Sequence, residues 1–349
     1  HIGYAQPSVW FEAHIETPQY ENYGYHLAGI PFPLLAHNRK MAYGLTMFEN
    51  DDIDFYQTTS HITDTNTYLY EGEWLPLQIQ EKQIKVKDAN PITFQVKSSL
   101  HGPLMNDVID GLTLDKPLSM SWVYTQRPNK VLNALYSISH AADKNSFKAA
   151  LPNIHAPGLN VMYGDREGNI AWWATAGLYK LPSGTSSKFV LDGSTAAQEK
   201  IRFTDFSENP MSENPSWNYV YSANNAPLFP SGETYPGYYL PENRAKRIVT
   251  LLDPKDDWDK SSVSEMILDH TSSVNPEIIA DFNRALKEDS SFFTSLGEDE
   301  QWAYNDLQSW EGDYPEATTA AALFHKWEYY FLKAVFLDEL GETQFKAIQ

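Results

Sequence analysis

Along much of the chain up to residue 239, apolar and polar positions alternate with period two, the mark of strands that turn one face inward. Ile84 and Val86 alternate with Lys85 and Lys87, and Ile92, Phe94 and Val96 alternate with Thr93 and Gln95. Asp88-Ala89-Asn90-Pro91 between them supplies a turn, so the spacing predicts a half-buried hairpin. Further strands are predicted over 23–27, 41–47, 53–58, 118–123, 159–163, 170–175 and 217–222, stretches rich in aromatic and β-branched residues. Asp165-Arg166-Glu167-Gly168-Asn169 reads as a tight turn joining two of them.

From about residue 240 the apolar period becomes 3.6, and four helices are predicted. Ser262 and Glu265 have capping-box spacing, and Asn275-Pro276 reads as an N-cap followed by a proline at the first helical position, with Ile278, Phe282 and Leu286 on one face. Pro315 is expected to open the longest helix, in which Leu323, Trp327, Phe331 and Val335 form a core stripe ending near Gly341. The expected organisation is a mainly antiparallel β part over 1–239 and a helical part of the same domain over 240–349. No internal repeat or low-complexity tract interrupts it.

Composition narrows the chemistry. With 42% hydrophobic and 21% charged residues the chain can build a large core, which excludes wholesale disorder. A formal charge of −20 repels phosphate backbones and anionic membrane surfaces, so nucleic acid is not an expected partner. The absence of cysteine removes disulfides, thiolate metal sites and thiol nucleophiles. No apolar run is long enough to predict a membrane span. The start at His1-Ile2-Gly3-Tyr4 is neither an initiator methionine nor a signal sequence, and a processed or partial chain is expected.

Phosphate-loop, dinucleotide, zinc-helix and nucleophile-elbow motifs are all missing, and the ten histidines are scattered without metal spacing. Three stretches instead place polar groups tightly among apolar ones. His37 to Met47 is a loop running into a strand, with Gly44 near its end permitting close backbone approach. Asn50-Asp51-Asp52-Ile53-Asp54 crowds three carboxylates at a strand start; it reads as a solvated acidic loop or as hard oxygen ligands, Asp51, the Ile53 carbonyl and Asp54, for Ca²⁺. Tyr221-Ser222-Ala223-Asn224-Asn225-Ala226-Pro227 ends in an amide pair, which could donate to a developing oxyanion or form an ordinary Asx turn.

Taken in order, His37-Asn38, Tyr43-Gly44-Leu45-Thr46, Asp51 to Tyr56, His101-Gly102-Pro103, Ala156 to Asn160, Tyr163-Gly164-Asp165, Gly168-Asn169-Ile170, Ala223-Asn224-Asn225 and Asn243 to Ile248 resemble the β-chain of the penicillin acylase family. The resemblance extends over essentially the whole chain, with its motifs in residues 1 to 248. It implies an α+β fold, the αββα sandwich of the N-terminal nucleophile hydrolases, here incomplete and with a helical C-terminal part. It also implies amide hydrolysis by an N-terminal serine whose own α-amine is the general base. The implied substrates are penicillin-like or acyl-homoserine-lactone amides, the implied partner is the α-chain of the same precursor, and the implied location is the periplasm or beyond.

Carried over residue by residue, His1 resembles a position close to the nucleophile. Met47 resembles the residue whose backbone N–H forms half of the oxyanion hole, and Asn224 the one whose side-chain amide forms the other half. Arg244 resembles an arginine that keeps the nucleophile's amine unprotonated. Ile2 and Leu35 resemble acyl-pocket positions that are aromatic in phenylacetyl-binding members; aliphatic residues there favour an acyl chain. Asp51, Ile53 and Asp54 resemble structural calcium ligands, with Asp192 and, approximately, Glu233 at two further ligand positions. No organic cofactor is implied.

The serine is missing from this stretch, as are the expected α-chain and further C-terminal strands, so the chain alone is expected to be inactive and to have unpaired sheet edges. Two readings stand beside the acylase: a noncatalytic carbohydrate- or peptide-binding β-protein, suggested by the aromatic load, and a retaining glycosidase, which needs two close carboxylates.

Overall fold

A computed structural model describes residues 5–106, 108, 116–227, 232, 235–288 and 291–347. The chain divides into two units, His1–Leu240 and Pro241–Gln349.

The first unit is built on a seven-stranded sheet. Its strands are Trp10–Thr17 (β1), Tyr20–Leu27 (β2), Leu35–His37 (β3) and Met41–Met47 (β4), then Leu159–Asp165, Ile170–Thr175 and Met211–Glu213, in that spatial order. Every neighbouring pair is antiparallel. Strand alternation sends Leu159, Val161 and Tyr163 to one face, where they meet Tyr43, Trp173 and two helices, Val131–Ser139 and Lys144–Ala150, through Ala134, Ile138 and Phe147, with Leu151 from the short turn that follows. Trp173 and Phe147 are fully buried there. Asn160 and Met162 take the opposite face, and it is on that face that polar chemistry gathers.

Glu213, on the last strand, ties helix to sheet. Its carboxylate receives Lys148 Nζ at 2.5 Å, Trp173 Nε1 at 3.1 Å and Lys144 Nζ at 3.1 Å. Burial alone would push the carboxyl up, but the Lys148, Trp173 and Lys144 hydrogen bonds outweigh it and bring the pKa down to about 2. A carboxyl whose folded pKa is depressed stabilises the fold above its ordinary value of 4.5, and that contribution is lost as the pH falls toward 2. Urea unfolding of the full-length protein and of Glu213→Gln at neutral pH and near pH 3 checks this: the acid-induced loss of stability should be smaller in the variant, and an equal loss would remove Glu213 from the account.

Beside the large sheet lies a three-stranded one, in which Ile53–Gln57 (β5) pairs antiparallel with Leu118–Trp122 and parallel with Leu191–Asp192. The hairpin read from the sequence forms as Gln78–Ile84 against Ile92–Ser99. It is not half buried: every residue of its first strand is exposed, as are Ile92 and Phe94. Residues 85–87, where the first alternation was read, lie in irregular chain and turn, and the second strand gains burial only from Val96 to Ser99. Residues 217–222, predicted as a strand, form a turn and irregular chain. The helices at 131–139 and 144–150 were not expected in the β part, although Asp143 and Ser146 form a capping box.

The second unit holds six helices among the described residues rather than four: Asn243–Leu252, Lys260–Ile267, Asn275–Leu286, Phe292–Ser295, Glu298–Ser309 and Thr319–Ala347. The capping box lies one turn earlier than expected, at Asp259 with Ser262. Asn275 is already helical, with Val274 as N-cap, because Ser272 Oγ accepts its N–H at 3.2 Å. The longest helix starts four residues after Pro315, and Gly341 breaks its regular geometry with a φ of 70°. Phe324, Ala320, Ala321, Ile279 and Trp310 form this unit's core with Trp327 packed against them, while Phe331 and Val335 are exposed, so the stripe is buried only at its N-terminal end.

Candidate active site

The last turn of residues on β4 is where sequence motifs converge. In the ladder with the Leu159–Asp165 strand, Phe48 N–H donates to Gly158 O at 3.0 Å, so the neighbouring pair, Met47 opposite Leu159, is a non-hydrogen-bonded one. The N–H and C=O of Met47 consequently point away from that strand, and they are available to groups arriving from elsewhere in the unit.

Two side-chain amides arrive. Asn224 Nδ2 donates to Met47 O at 2.9 Å and Asn160 Nδ2 donates to the same oxygen at 3.0 Å. Asn160 is buried and also donates to Thr46 Oγ1 at 3.2 Å and Ser222 Oγ at 3.0 Å, while its own Oδ1 accepts Trp172 Nε1–H at 3.0 Å. Thr46 Oγ1 and Ser222 Oγ share a further hydrogen bond of 2.7 Å. A buried amide needs several partners, and here they come from three segments of the chain: β4, the strand of Trp172 and the loop of Ser222.

Asn224 sits in a loop that the chain fixes from both sides. Its backbone is left-handed, with φ 62°, a conformation asparagine tolerates better than most residues. Its N–H donates to Ser222 Oγ at 3.3 Å, and its C=O accepts the Leu240 N–H at 2.9 Å. The chain after Met47 is equally confined. At Gly158 an added Cβ would lie 1.8 Å from Asn50 Oδ1 and 2.5 Å from Phe48 O, so only glycine allows the approach.

The acidic stretch lies at the start of β5. Asp54 is 1% exposed and Asp51 4%. Lys200 Nζ makes an ion pair with Asp54 Oδ2 at 2.7 Å, donates to Ser121 Oγ at 2.7 Å and lies 4.4 Å from the centre of the Tyr179 ring. Burial pushes the Asp51 carboxyl above its usual range, against the Ile53 N–H hydrogen bond that draws it down. Asp192 is opposite Gln57 in register, and its Oδ1 accepts both Ser194 N–H at 2.9 Å and Ser194 Oγ–H at 2.7 Å. Among the described residues no group of three or more His, Asp or Glu side chains is placed to hold a metal ion. Of the donor set expected for Ca²⁺ (Asp51, Ile53, Asp54 and Asp192), Asp54 has an ammonium against it and Asp192 is hydrogen-bonded to a serine.

Of the remaining expected site residues, Leu35 is half-buried on β3 and pairs with Tyr25. Arg244 belongs to the second unit, on the first turn of the Asn243–Leu252 helix. His1, Ile2 and Glu233 lie outside the described residues. Asn160, Thr46, Ser222, Trp172 and Lys200 had no role in the sequence reading. An asparagine between Leu159 and Val161 on a buried strand is the one signal that could have marked such a cluster, because a buried amide implies partners.

With this geometry in view, the likeness to known proteins is specific. A family model described as penicillin amidase matches residues 1–349. The chain is 26% identical over 369 aligned residues to the acyl-homoserine lactone acylase QuiP of Pseudomonas aeruginosa, covering 98% of this chain and 42% of that protein. It is 22% identical over 259 residues to the penicillin G acylase of Escherichia coli, covering 73% of this chain and 30% of the relative. It thus spans less than half the length of these relatives. A thermostable penicillin G acylase from Alcaligenes faecalis superposes with a TM-score of 0.82 at 19% identity, over 99% of this chain and 62% of that one, which shows that the fold is that of the N-terminal nucleophile hydrolases. Agreement of the fold and of a sequence model spanning both units leaves no room for an unrelated binding β-protein or a glycosidase: the chain belongs to the penicillin amidase family.

Proposed function

We propose that the chain carries the oxyanion-stabilising part of an acylase that removes an N-acyl group through an N-terminal serine, as the family resemblance implies. The contact that carries this proposal is Asn224 Nδ2 on the backbone of Met47 at 2.9 Å, which joins the two residues assigned to the oxyanion hole. The amide has two hydrogens; the bond to Met47 O uses one and so aims the group. When the serine hydroxyl attacks the substrate carbonyl, its proton passes to the serine's α-amine and the carbonyl electron pair moves onto oxygen. The Met47 N–H and the Asn224 amide then donate to that oxygen; collapse expels the amine product, and water hydrolyses the acyl-enzyme.

Leu35, with Ile2 and His1, favours a long aliphatic acyl group over phenylacetyl. The substrate class follows from that: acyl-homoserine lactones before penicillin G. The α-chain of the precursor is the proposed partner, and the periplasm or the exterior the proposed location; no helix among the described residues is long and apolar enough to cross a membrane. Hydrolysis of a long-chain acyl-homoserine lactone and of penicillin G by the full-length protein tests both levels. The lactone should be cleaved with the larger kcat/KM. A clear preference for penicillin G overturns the choice of acyl group, and a folded protein that cleaves no N-acyl amide overturns the acylase proposal.

A further inference from the structure

Asp51, Asp52 and Asp54 cannot all be charged and close together without a compensating positive charge. A divalent cation could supply it, and so could a side chain. The structure contains the second solution. Lys200 has a side chain 11% exposed, and that of Asp54 is fully buried. A lysine buried to this degree is rare unless paired, since taking its charge out of water is costly. Here the ammonium has three separate partners: the Asp54 carboxylate by ion pairing at 2.7 Å, the Ser121 hydroxyl by a hydrogen bond of 2.7 Å, and the face of Tyr179 at 4.4 Å.

Size and charge exclude sharing. A calcium ion takes its oxygen ligands at about 2.3–2.6 Å, close to the distance at which Lys200 Nζ already stands from Asp54 Oδ2, and it would meet a like charge there. The elements that converge are also distant in sequence: β5 brings Asp54, the Leu118–Trp122 strand brings Ser121 opposite it in register, and Lys200 arrives from the loop after Leu191–Asp192. We propose that the Lys200 ammonium is the resident cation of this acidic pocket, so that the fold is held there by a side chain and needs no calcium. This stands apart from the acylase proposal, because its test reads folding and not turnover.

Both Asp54 carboxylate oxygens are buried without a hydrogen bond, and only Oδ2 has the Lys200 ammonium against it, so Oδ1 is the atom a metal would reach if one bound. The decisive measurement is therefore the melting temperature of the full-length protein in EDTA and in excess calcium chloride, for the wild type, Lys200→Met and Lys200→Met/Asp54→Asn. The wild type should melt at the same temperature in both. Lys200→Met should melt lower by several degrees, since it leaves a buried carboxylate uncompensated, and removing that charge in the double variant should recover most of the loss. If Lys200→Met does not fold, Lys200→Arg keeps the charge and should remain folded and indifferent to calcium. A wild type whose melting temperature rises in calcium, or a Lys200→Met protein as stable as the wild type, overturns the proposal.

Discussion

Replacing Asn224 by alanine is expected to lower kcat for the N-acyl substrate by about 10²–10³, with little change in KM, because the amide is asked to bind charge that exists only in the transition state. The amide is aimed by its bond to Met47 O, and alanine keeps neither that bond nor a donor. Alanine is also a poor occupant of a backbone with φ 62°, so part of any loss could come from strain in the loop. Asn224→Gly separates the two causes, since glycine adopts that backbone freely. Steady-state kinetics on both variants should show the same loss; a glycine variant with wild-type kcat would mean that the side chain does not touch the reaction.

The second large effect is expected at Asn160. Leucine has a similar volume, but it would leave Trp172 Nε1 without its acceptor and Thr46, Ser222 and the Met47 carbonyl without their common donor. Leaving buried polar groups unsatisfied costs about 1–3 kcal/mol each, and the Thr46–Ser222 bond offsets part of this, so a loss of about 2–4 kcal/mol in unfolding free energy is expected. Urea unfolding of the full-length protein measures it. A leucine variant as stable as the wild type would show that the network is decorative. Asn160→Asp keeps an acceptor for Trp172 but faces the Met47 carbonyl with a carboxylate oxygen, so it should recover little.

These two residues mark where sequence reading succeeds and where it stops. Strands at 41–47 and 170–175 were legible to the residue, because tertiary packing there follows the alternation that the chain itself displays. Residues 217–222 carry the same aromatic content but are held by loop hydrogen bonds, a context that propensity does not contain. The exposed hairpin shows the converse, a hairpin that forms with no core beneath its first strand. Met47 and Asn224 were found through resemblance, and the structure brings them together. Asn160 and Lys200 were missed because their meaning lies in partners from distant segments: Lys200 follows a glutamate in an ordinary loop, and only the fold reveals that it faces Asp54. Ligand spacing in β5 likewise says nothing about a cation delivered from residue 200.

One carbonyl, that of Met47, is gripped by two amides from separate parts of the chain, and neither grip involves the wall formed by Leu35. In the proposed function, the group that handles charge and the residue that meets the acyl chain thus stand on different, though neighbouring, strands. On that reading, a substitution on β3 would change the accepted acyl group while leaving the hydrogen bonds at Met47 in place.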